Sequence, residues 1–393
     1  MAPPVYLHAL GMVNALGDDV ASIVGALARG EAPGMGPIPT RTGVAYAGNV
    51  KAALEVAPPA SLSHYDCRNN RLVLAALTQI RPAIDAARDQ FGAGRIGVVL
   101  GTSTSGISAA EGAFAHPVQP GATVARFDYR QMEIGTAAPF AAAALELNGP
   151  AFTISTACTS SAKAFAAARR LLRANLCDAV ITGGVDSLCE LTLQGFASLE
   201  STSPVRTNPM SAHRRGINIG EGAAVFLMSR EEGPVQLAGA GESSDAHHIS
   251  APDPLGAGGE LALRAALADA GVSAAAIGYV NLHATATIKN DQMEAHLMAR
   301  VFPDGVAASG TKPLTGHLLG AAGASELGLA WLALARDDVA LPRHLWDGEA
   351  DPALPALDLV EDVRHLPRGA IRQYVMSNSF AFGGSNVSLI LAR

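Results

Sequence analysis

The sequence predicts an α/β protein built from two similar halves. Short runs of β-branched and apolar residues alternate with alanine-rich stretches, and 41 glycines with only 5% aromatic residues suit close packing of helices on a sheet. A length of 393 residues is enough for two domain-sized units or one large duplicated unit. Each half runs from helices through a strand with a polar loop to a closing hairpin, which predicts an N-terminal half over 1–240 and a C-terminal half over 241–393.

The individual elements follow from local patterns along the chain. Apolar, β-branched runs predict strands over 95–103, 151–157, 179–185, 223–229, 235–243, 279–285, 374–380 and 385–392. Alanine-rich stretches predict helices over 69–91, 136–147, 159–174, 260–270, 291–301 and 320–335. Strands that alternate with helices in this way favour an α/β sheet over an all-helical or all-β protein.

Composition argues against several classes of protein. The formal net charge is −7 and charged residues make up 16% of the chain, which is not typical of a nucleic-acid binder. There is no run of about 18 uncharged apolar residues and no signal-peptide pattern, so no membrane span is expected. Four cysteines without a CxxC pair do not make a disulfide framework. A cytoplasmic protein is therefore expected.

Cys158 is the first residue whose position indicates chemistry. In "FTISTACTSSAKAF" it stands where a β-branched run gives way to a helical pattern. The free N–H groups and the dipole of a helix start favour negative charge, which predicts thiolate character and a nucleophilic cysteine. The alternative is a small buried apolar residue. Cys67, Cys177 and Cys189 lack this setting and are interpreted as structural.

A nucleophilic cysteine needs partners that handle protons and an oxyanion. Two of the 11 histidines stand out by their context. His283 ends the strand "YVNL" and opens the loop "HATATIKND", and His317 lies in "GTKPLTGHLLGAAGASE". Strand ends and glycine-rich turns are where α/β folds present functional groups. A buried structural histidine remains the alternative for each of them.

The segment "NSFAFGGSN" near the C-terminal end is a further candidate. Gly383 and Gly384 can adopt positive φ and let the backbone approach a ligand closely. The candidate cysteine and histidines have no short metal-ligand spacing such as HExxH, and the chain has no GxxxxGK[ST] phosphate loop. Neither a metal nor a nucleotide is expected.

The four segments "STACTSSAKA", "HATATIKND", "GTKPLTGHLLGAAGASE" and "NSFAFGGSN" resemble, in this order, the motifs of the β-ketoacyl-acyl-carrier-protein synthases, the condensing enzymes of the thiolase superfamily. The resemblance covers nearly the whole chain. It implies a thiolase-like α-β-α-β-α five-layered fold and decarboxylative Claisen condensation of malonyl-acyl-carrier protein with a cysteine-bound acyl chain. Substrates would arrive on the phosphopantetheine of an acyl carrier protein, with no other cofactor.

The resemblance also implies roles for single residues. Cys158 becomes the acyl-accepting nucleophile, and His283 and His317 promote decarboxylation and stabilise the enolate. Lys312 sets the electrostatics of the two histidines and is supported by Glu326. Asp291, at the end of the threonine loop, would also assist Lys312. Thr285 and Thr287 of that loop would bind pantetheine. Phe382 would gate the pocket. The N–H groups of Phe382 and Cys158 would form the oxyanion hole.

Several positions depart from the family pattern. Ala284 and Ala286 replace the usual glycines, which predicts a narrower pantetheine tunnel or a shifted loop, and Ile288 and Lys289 replace a Pro-Leu or similar pair. Ala381 likewise stands where glycine is usual. The segments "TACTSSAKA" and "RRGINIGEG" and the threonine loop are together more similar to the corresponding segments of ketosynthases of aryl-polyene and related secondary pathways. They are less similar to those of housekeeping fatty-acid enzymes.

Other functions stay open at this point. A housekeeping fatty-acid elongation synthase is one alternative, and a weakly active chain-length-factor-type partner subunit is another, although such subunits usually lack the nucleophile. A thiolase would need a second active-site cysteine near the C-terminal end, and no cysteine follows Cys189.

The resemblance further implies a dimer, either of two copies or with a chain-length-factor-like ketosynthase. Because carrier proteins are acidic, a local basic surface is expected at the tunnel mouth. The candidates for this docking surface are Arg68, Arg71, Arg126, Arg130 and Arg206.

Overall fold

The computed structural model describes residues 3–51, 54–115, 127–367 and 372–393. Within these ranges the strands are β1 (Tyr6–Val13), β2 (Met35–Thr40), β3 (Gly43–Gly48), β4 (Ile96–Gly101), β5 (Ala151–Ile154), β6 (Ala179–Asp186), β7 (Gly222–Ser229), β8 (Val235–Ser244), β9 (Ile277–Leu282), β10 (Ala307–Gly310), β11 (Asp358–Leu359), β12 (Tyr374–Phe380) and β13 (Ser385–Ala392). The helices are α1 (Val20–Arg29), α2 (Arg68–Gln79), α3 (Arg81–Phe91), α4 (Ile107–Phe114), α5 (Ala137–Ala144), α6 (Ser160–Arg173), α7 (Glu190–Ser198), α8 (Ala257–Ala270), α9 (Ile288–Val301), α10 (Lys312–Thr315) and α11 (Ala322–Ala335).

All eight predicted strands and all six predicted helical stretches are confirmed in place, with two differences of substance. The stretch over 69–91 is two helices, α2 and α3, which meet at Ile80. Pro82 explains the break, because its ring has no N–H to donate and clashes with the carbonyl four residues earlier. The strand over 151–157 stops at Ile154, and the rest of that stretch is the turn that carries Cys158.

The sheet repeats one pairing scheme in the two halves of the chain. Its strand order is β11-β10-β9-β12-β13-β8-β1-β7-β6-β4-β5. In the first half β4 runs parallel to β5 and β6, and β7 and β1 follow antiparallel. In the second half β9 runs parallel to β10 and β12, and β13 and β8 follow antiparallel. The halves are therefore similar in topology; β8 runs across residue 240, and the division of the chain there stays a prediction.

The two half-sheets enclose a central helical layer. Among the strands of the described residues, β1 and β8 join them, by pairing of Tyr6 with Gln236 and of Leu7 with Val235. Helices α6 and α11 lie between them, since α6 packs on β4, β6 and β13 and α11 packs on β7, β6 and β12. Helices α2 and α5 cover the outer face of the first half-sheet, and α8 with α9 covers the second. The layers follow the order α-β-α-β-α, which confirms the predicted fold.

Close packing in the middle layer brings the active-site helices together. A Cβ atom at Gly323 of α11 would lie 2.9 Å from the Ala162 Cβ of α6, so only glycine permits this helix contact. Phe165, Phe226 and Trp331 fill the layer beside it, with successive ring centroids 5.5 and 5.8 Å apart. Among the described residues no helix is both long and apolar enough to cross a membrane.

Candidate active site

Cys158 sits in a tight turn between β5 and α6. Ala157 before it has a φ of 52°, in the left-handed region that alanine enters at a cost of roughly 1–2 kcal/mol. The turn is held by hydrogen bonds from the Thr156 N–H to Ser160 Oγ at 2.9 Å and from Ser160 Oγ to the Ala157 carbonyl at 2.6 Å. The Cys158 side chain is thereby fixed toward the interior, and the residue is only 5% exposed.

The structure brings Cys158 together with both predicted histidines. His317 Nε2 lies 3.1 Å from Cys158 Sγ, and the ring centroids of His283 and His317 are 5.3 Å apart. One side-chain atom from each of the three residues, the Cys158 Sγ and one ring nitrogen of each histidine, lies within 4.8 Å of the other two. All three are buried, although 159 positions of sequence separate Cys158 from His317. The group therefore assembles from both halves of the chain.

The backbone around each histidine is anchored by buried polar contacts. His283 follows β9, and Glu294 of α9 accepts its N–H and the N–H of Ala284, each at 2.7 Å. His317 donates its N–H to the Asn218 carbonyl at 2.7 Å. Glu294 was not singled out from the sequence. A usable signal existed, because it lies three residues after Asp291 on the same helix and so faces the same side.

Lys312 is buried beneath the histidines and binds three acceptors. Its Nζ lies 2.5 Å from Glu326 Oε1 and 3.3 Å from His283 Nδ1, and it also donates to the His283 carbonyl. An ammonium group has donors only, so His283 Nδ1 must accept and the ring carries its proton on Nε2. Lys312 thus selects the His283 tautomer that can donate a hydrogen bond from Nε2, and Glu326 balances its charge.

The electrostatics of the site favour neutral groups. Burial, reinforced by the charge of Lys312, holds the pKa values of His283 and His317 well below the usual range, so both imidazoles are neutral at physiological pH. Burial raises the pKa of the Cys158 thiol to about 11, against the opposing effects of Lys312 and of hydrogen bonds from the Phe382 and Cys158 N–H groups. The thiolate expected from the helix start alone is therefore wrong for the resting protein, because desolvation outweighs it.

Asp291 acts on the threonine loop rather than on Lys312. Its carboxylate accepts the N–H of Ala286 at 3.0 Å and the N–H of Met210 at 2.8 Å. The structure therefore corrects the expectation that Asp291 assists Lys312. Glu326 binds Lys312, whereas Asp291 joins the threonine loop to the segment around Met210. Thr285 and Thr287, whose hydroxyl oxygens lie 3.0 Å apart, stand on this loop and line the cavity.

The two alanines of the loop keep a glycine-like backbone. Ala284 has a φ of 39° and Ala286 a φ of 62°. Both methyl groups are fully buried and neither lines the cavity, so neither projects into the tunnel, and a shift of the loop stays a prediction. The Ala284 methyl points toward Gly310, where an added Cβ would lie 2.5 Å from it. Ile288 and Lys289, by contrast, do line the cavity.

Phe382 lines the same cavity as Cys158. Its ring packs against Phe196 with centroids 5.5 Å apart, and both rings line the cavity. Gly383 and Gly384 follow with φ values of 84° and 79°, as the glycine pair predicts. The Phe382 N–H lowers the pKa of the Cys158 thiol, and the role of this donor in an oxyanion hole stays a prediction.

One cavity of about 300 Å³ connects these groups with the surface. Cys158, His283 and His317 lie in its lining, together with both loop threonines. A cavity of this size, with convergent polar groups and titratable groups of perturbed pKa, is the arrangement expected of an active site.

The predicted docking arginines are mostly engaged in ion pairs. Arg68 binds the buried carboxylate of Glu221, and the partners of Arg71 and Arg130 are Asp66 at 2.6 Å and Asp128 at 2.7 Å. Each of these three guanidinium groups thus has a carboxylate partner within the chain, which the sequence does not show. Arg206 is exposed, and Arg126 lies outside the described residues. The docking role of the arginines stays a prediction.

The other cysteines match their structural interpretation. Cys67, Cys177 and Cys189 are buried, and burial raises the pKa of each thiol, to about 11 for Cys67.

Comparisons with known proteins agree with this geometry. The family model described as "Beta-ketoacyl synthase, N-terminal domain" matches residues 37–233, and the one described as "Beta-ketoacyl synthase, C-terminal domain" matches residues 235–345. The 3-oxoacyl-[acyl-carrier-protein] synthase 2 of Coxiella burnetii is 30% identical over 99% of this chain and 98% of its own. Nodulation protein E of Rhizobium meliloti is 30% identical over 98% of both chains. The ketosynthase ApeO of Xenorhabdus doucetiae, solved in complex with its chain length factor ApeC, is similar with a TM-score of 0.94 and 46% identity, over 99% of this chain and 98% of that one.

Proposed function

The chain belongs to the β-ketoacyl synthase family, and from that membership we propose that it elongates an acyl chain on Cys158 in the biosynthesis of an aryl polyene or a related product. As a family member it is an acyltransferase that carries out condensation in fatty-acid- or polyketide-type biosynthesis. The observation that carries the proposal is the buried group of Cys158, His283 and His317 at one cavity.

The first half-reaction transfers an acyl group to the cysteine. Cys158 Sγ attacks the carbonyl carbon of an acyl thioester, and its proton passes to His317 Nε2, 3.1 Å away. The carrier thiolate leaves and takes that proton, so the imidazole returns to its neutral form. The oxyanion accepts hydrogen bonds from the N–H groups of Phe382 and Cys158. A thiol with a raised pKa makes this proton transfer necessary.

The second half-reaction makes the new carbon–carbon bond. The malonyl thioester loses CO₂, and the electron pair of the broken bond forms an enolate whose oxygen accepts a hydrogen bond from His283 Nε2–H. Once Cys158 is acylated it no longer donates to His317, whose Nε2–H tautomer donates to the same oxygen. The enolate carbon attacks the Cys158 thioester. This step yields a 3-oxoacyl chain two carbons longer, and the released thiolate regains a proton from solvent.

The partners follow from the same proposal. We infer that both substrates are carried on the phosphopantetheine of an acyl carrier protein, and that the second subunit is another copy or a chain-length-factor-like ketosynthase. Two relatives support this inference: one is named for an acyl-carrier-protein substrate, and one was solved with its chain length factor. Strand β5 ends the sheet without a neighbour on its outer edge among the described residues, which offers a surface for a second subunit.

The two alternatives are distinguished by the site and by its substrate. A non-catalytic chain-length-factor-type subunit has no use for a cysteine held 3.1 Å from a histidine in a cavity. A housekeeping elongation synthase would share this geometry, so the substrate decides between the two. The chain is 46% identical to the Xenorhabdus ketosynthase and 30% identical to the Coxiella synthase. The higher identity favours a secondary pathway over housekeeping fatty-acid elongation.

The test is a direct assay of the acyl group accepted by Cys158. The purified dimer is incubated with carrier proteins loaded with aryl-polyenoyl or saturated acyl chains, and peptide mass spectrometry identifies the group on Cys158. Preferential loading of the conjugated aryl chain is the expected result. Equal or better loading of saturated chains would place the enzyme in ordinary fatty-acid elongation.

A further inference from the structure

Two unpaired cations lie in the lining of the catalytic cavity. Arg215 and Lys289 both line it, and both are exposed. Within the described parts of the chain neither side chain forms a hydrogen bond or an ion pair. The neighbouring Arg214 differs, since it is buried and binds Asp351 at 2.5 Å. A chain with a net charge of −7 therefore presents two free positive charges at the entrance to its active site.

A backbone hydrogen bond fixes these two cations on adjoining segments. The N–H of Gly216, next to Arg215, donates to the Ala286 carbonyl at 2.9 Å. Gly216 has a φ of 125°, and a Cβ there would lie 2.3 Å from the Ser201 carbonyl oxygen, so only glycine allows this contact. Lys289 follows Ala286 by three residues in the first turn of α9. The cations are thus tied to the loop that carries the two threonines.

Two carboxylates also line the cavity, and within the described parts of the chain neither forms an ion pair with Arg215 or Lys289. Asp245 is occupied, because its carboxylate accepts a hydrogen bond from Asn386 Nδ2 at 2.6 Å and another from the Asp253 N–H at 3.0 Å. Glu200 is exposed and opposes the cations with a single charge. The formal charges of the lining therefore sum to zero, but among the described residues neither cation has a carboxylate within ion-pair distance, so both remain available to an anion.

We propose that Arg215 and Lys289 bind the phosphodiester at the outer end of the phosphopantetheine arm. The proposal rests on the proposed function, in which the arm enters this cavity and delivers its thioester to Cys158. The pantetheine portion of the arm is uncharged, so its phosphate is the one group on it that calls for a cation. A guanidinium offers paired donors to phosphate oxygens and an ammonium adds a point charge. The threonine loop would then contact the neutral part of the arm, between phosphate and thioester.

The test compares two carrier-free substrates that differ only in the phosphate. CO₂ release is measured with malonyl-phosphopantetheine and with malonyl-pantetheine, on the purified dimer and on the Arg215→Gln/Lys289→Gln double variant. The ratio of the two kcat/KM values reports phosphate recognition. In the double variant this ratio should fall roughly ten- to a hundredfold, as expected from the loss of hydrogen bonds to a charged group.

Two matched variants serve as controls. Glu200→Gln removes the opposing charge and should raise the ratio. Arg206→Gln removes an exposed arginine that does not line the cavity, and should leave the ratio as it is.

Other outcomes have distinct meanings. A double variant with an unaltered ratio, but weaker turnover of the malonyl-carrier protein, would overturn the proposal and assign the cations to the carrier's own acidic surface. Equal losses with both thioesters would also overturn it, since the residues would then only shape the cavity. If the unsubstituted protein released no CO₂ from either thioester and Cys158 remained unacylated, the proposed function itself would fail.

Discussion

At the scale of single residues, the two half-reactions depend on different atoms of one site. Cys158→Ala removes the acyl acceptor but leaves His283 and His317 in place, so acylation should disappear while malonyl decarboxylation persists. His283→Ala should do the converse, because His283 donates to the enolate and does not contact the attacking sulfur. We expect CO₂ release to fall by on the order of 10² to 10³, as for other lost oxyanion donors.

Mass spectrometry of the acylated protein and radiolabelled CO₂ release measure the two steps separately. If Cys158→Ala still acquired an acyl group, another residue would be the nucleophile. Decarboxylation by His283→Ala at the rate of the unsubstituted protein would make His283 a structural residue.

Lys312 should control the pH dependence of decarboxylation. Its charge lowers the pKa values of both histidines, so its removal should raise them toward the usual value, although burial still holds them down. A histidine is useful as a neutral donor only above its pKa. The acidic limb of the pH–rate profile should therefore move to higher pH in Lys312→Gln. Pairing this change with Glu326→Gln avoids a buried carboxylate without its partner. An acidic limb at unchanged pH would mean that Lys312 only positions His283.

At the scale of elements, the contact between the threonine loop and β10 carries the next prediction. Gly310→Ala places a Cβ 2.5 Å from the Ala284 methyl and should lower the free energy of unfolding by about 1–3 kcal/mol. Ala284→Gly removes that methyl together with its left-handed strain, so the double variant should recover most of the loss. Urea unfolding of both single variants and the double variant measures the coupling. Additive effects would show that the two residues do not meet.

Local elements were predictable because their signals are local. The strand before Cys158, the helix after it, and the glycine pair after Phe382 all depend on neighbours within a few residues. The break at Ile80 was also available from Pro82. The sequence could not show contacts over long separations, such as the ion pair of Arg68 with Glu221, which lies 153 positions away.

At the scale of the whole molecule, buried neutral histidines should make the protein sensitive to acid. His344 accepts the Gly310 N–H at Nδ1 and contacts the Pro209 carbonyl through Nε2, both at 3.0 Å, and burial lowers its pKa from 6.5 to about 4. Below pH 6.5 the unfolded chain takes up the proton first. Stability should therefore fall by roughly 1.4 kcal/mol per pH unit between pH 6.5 and 4 from this residue alone.

Denaturant unfolding at a series of pH values checks this expectation. His344→Gln should lower stability at neutral pH and flatten the slope over the same interval. A variant that kept the full slope would assign the acid sensitivity to other groups, with His283 and His317 the next candidates because their pKa values are lowered in the same direction.

The division of the sheet into two half-sheets, which pair through β1 and β8, has a consequence for folding during synthesis on the ribosome. Every strand of the first half-sheet has been synthesised once Ser229 is added, whereas α11, which covers α6, ends at Ala335. Translation proceeds at roughly 5–20 residues per second, so α11 is complete on the order of 5–20 s after β7. During that time the inner apolar face around Phe165 and Phe226 is not yet covered. That interval creates a demand for chaperones that bind exposed apolar surface. During the same interval Cys158 lacks the histidine that takes its proton, since His317 emerges 159 residues after it.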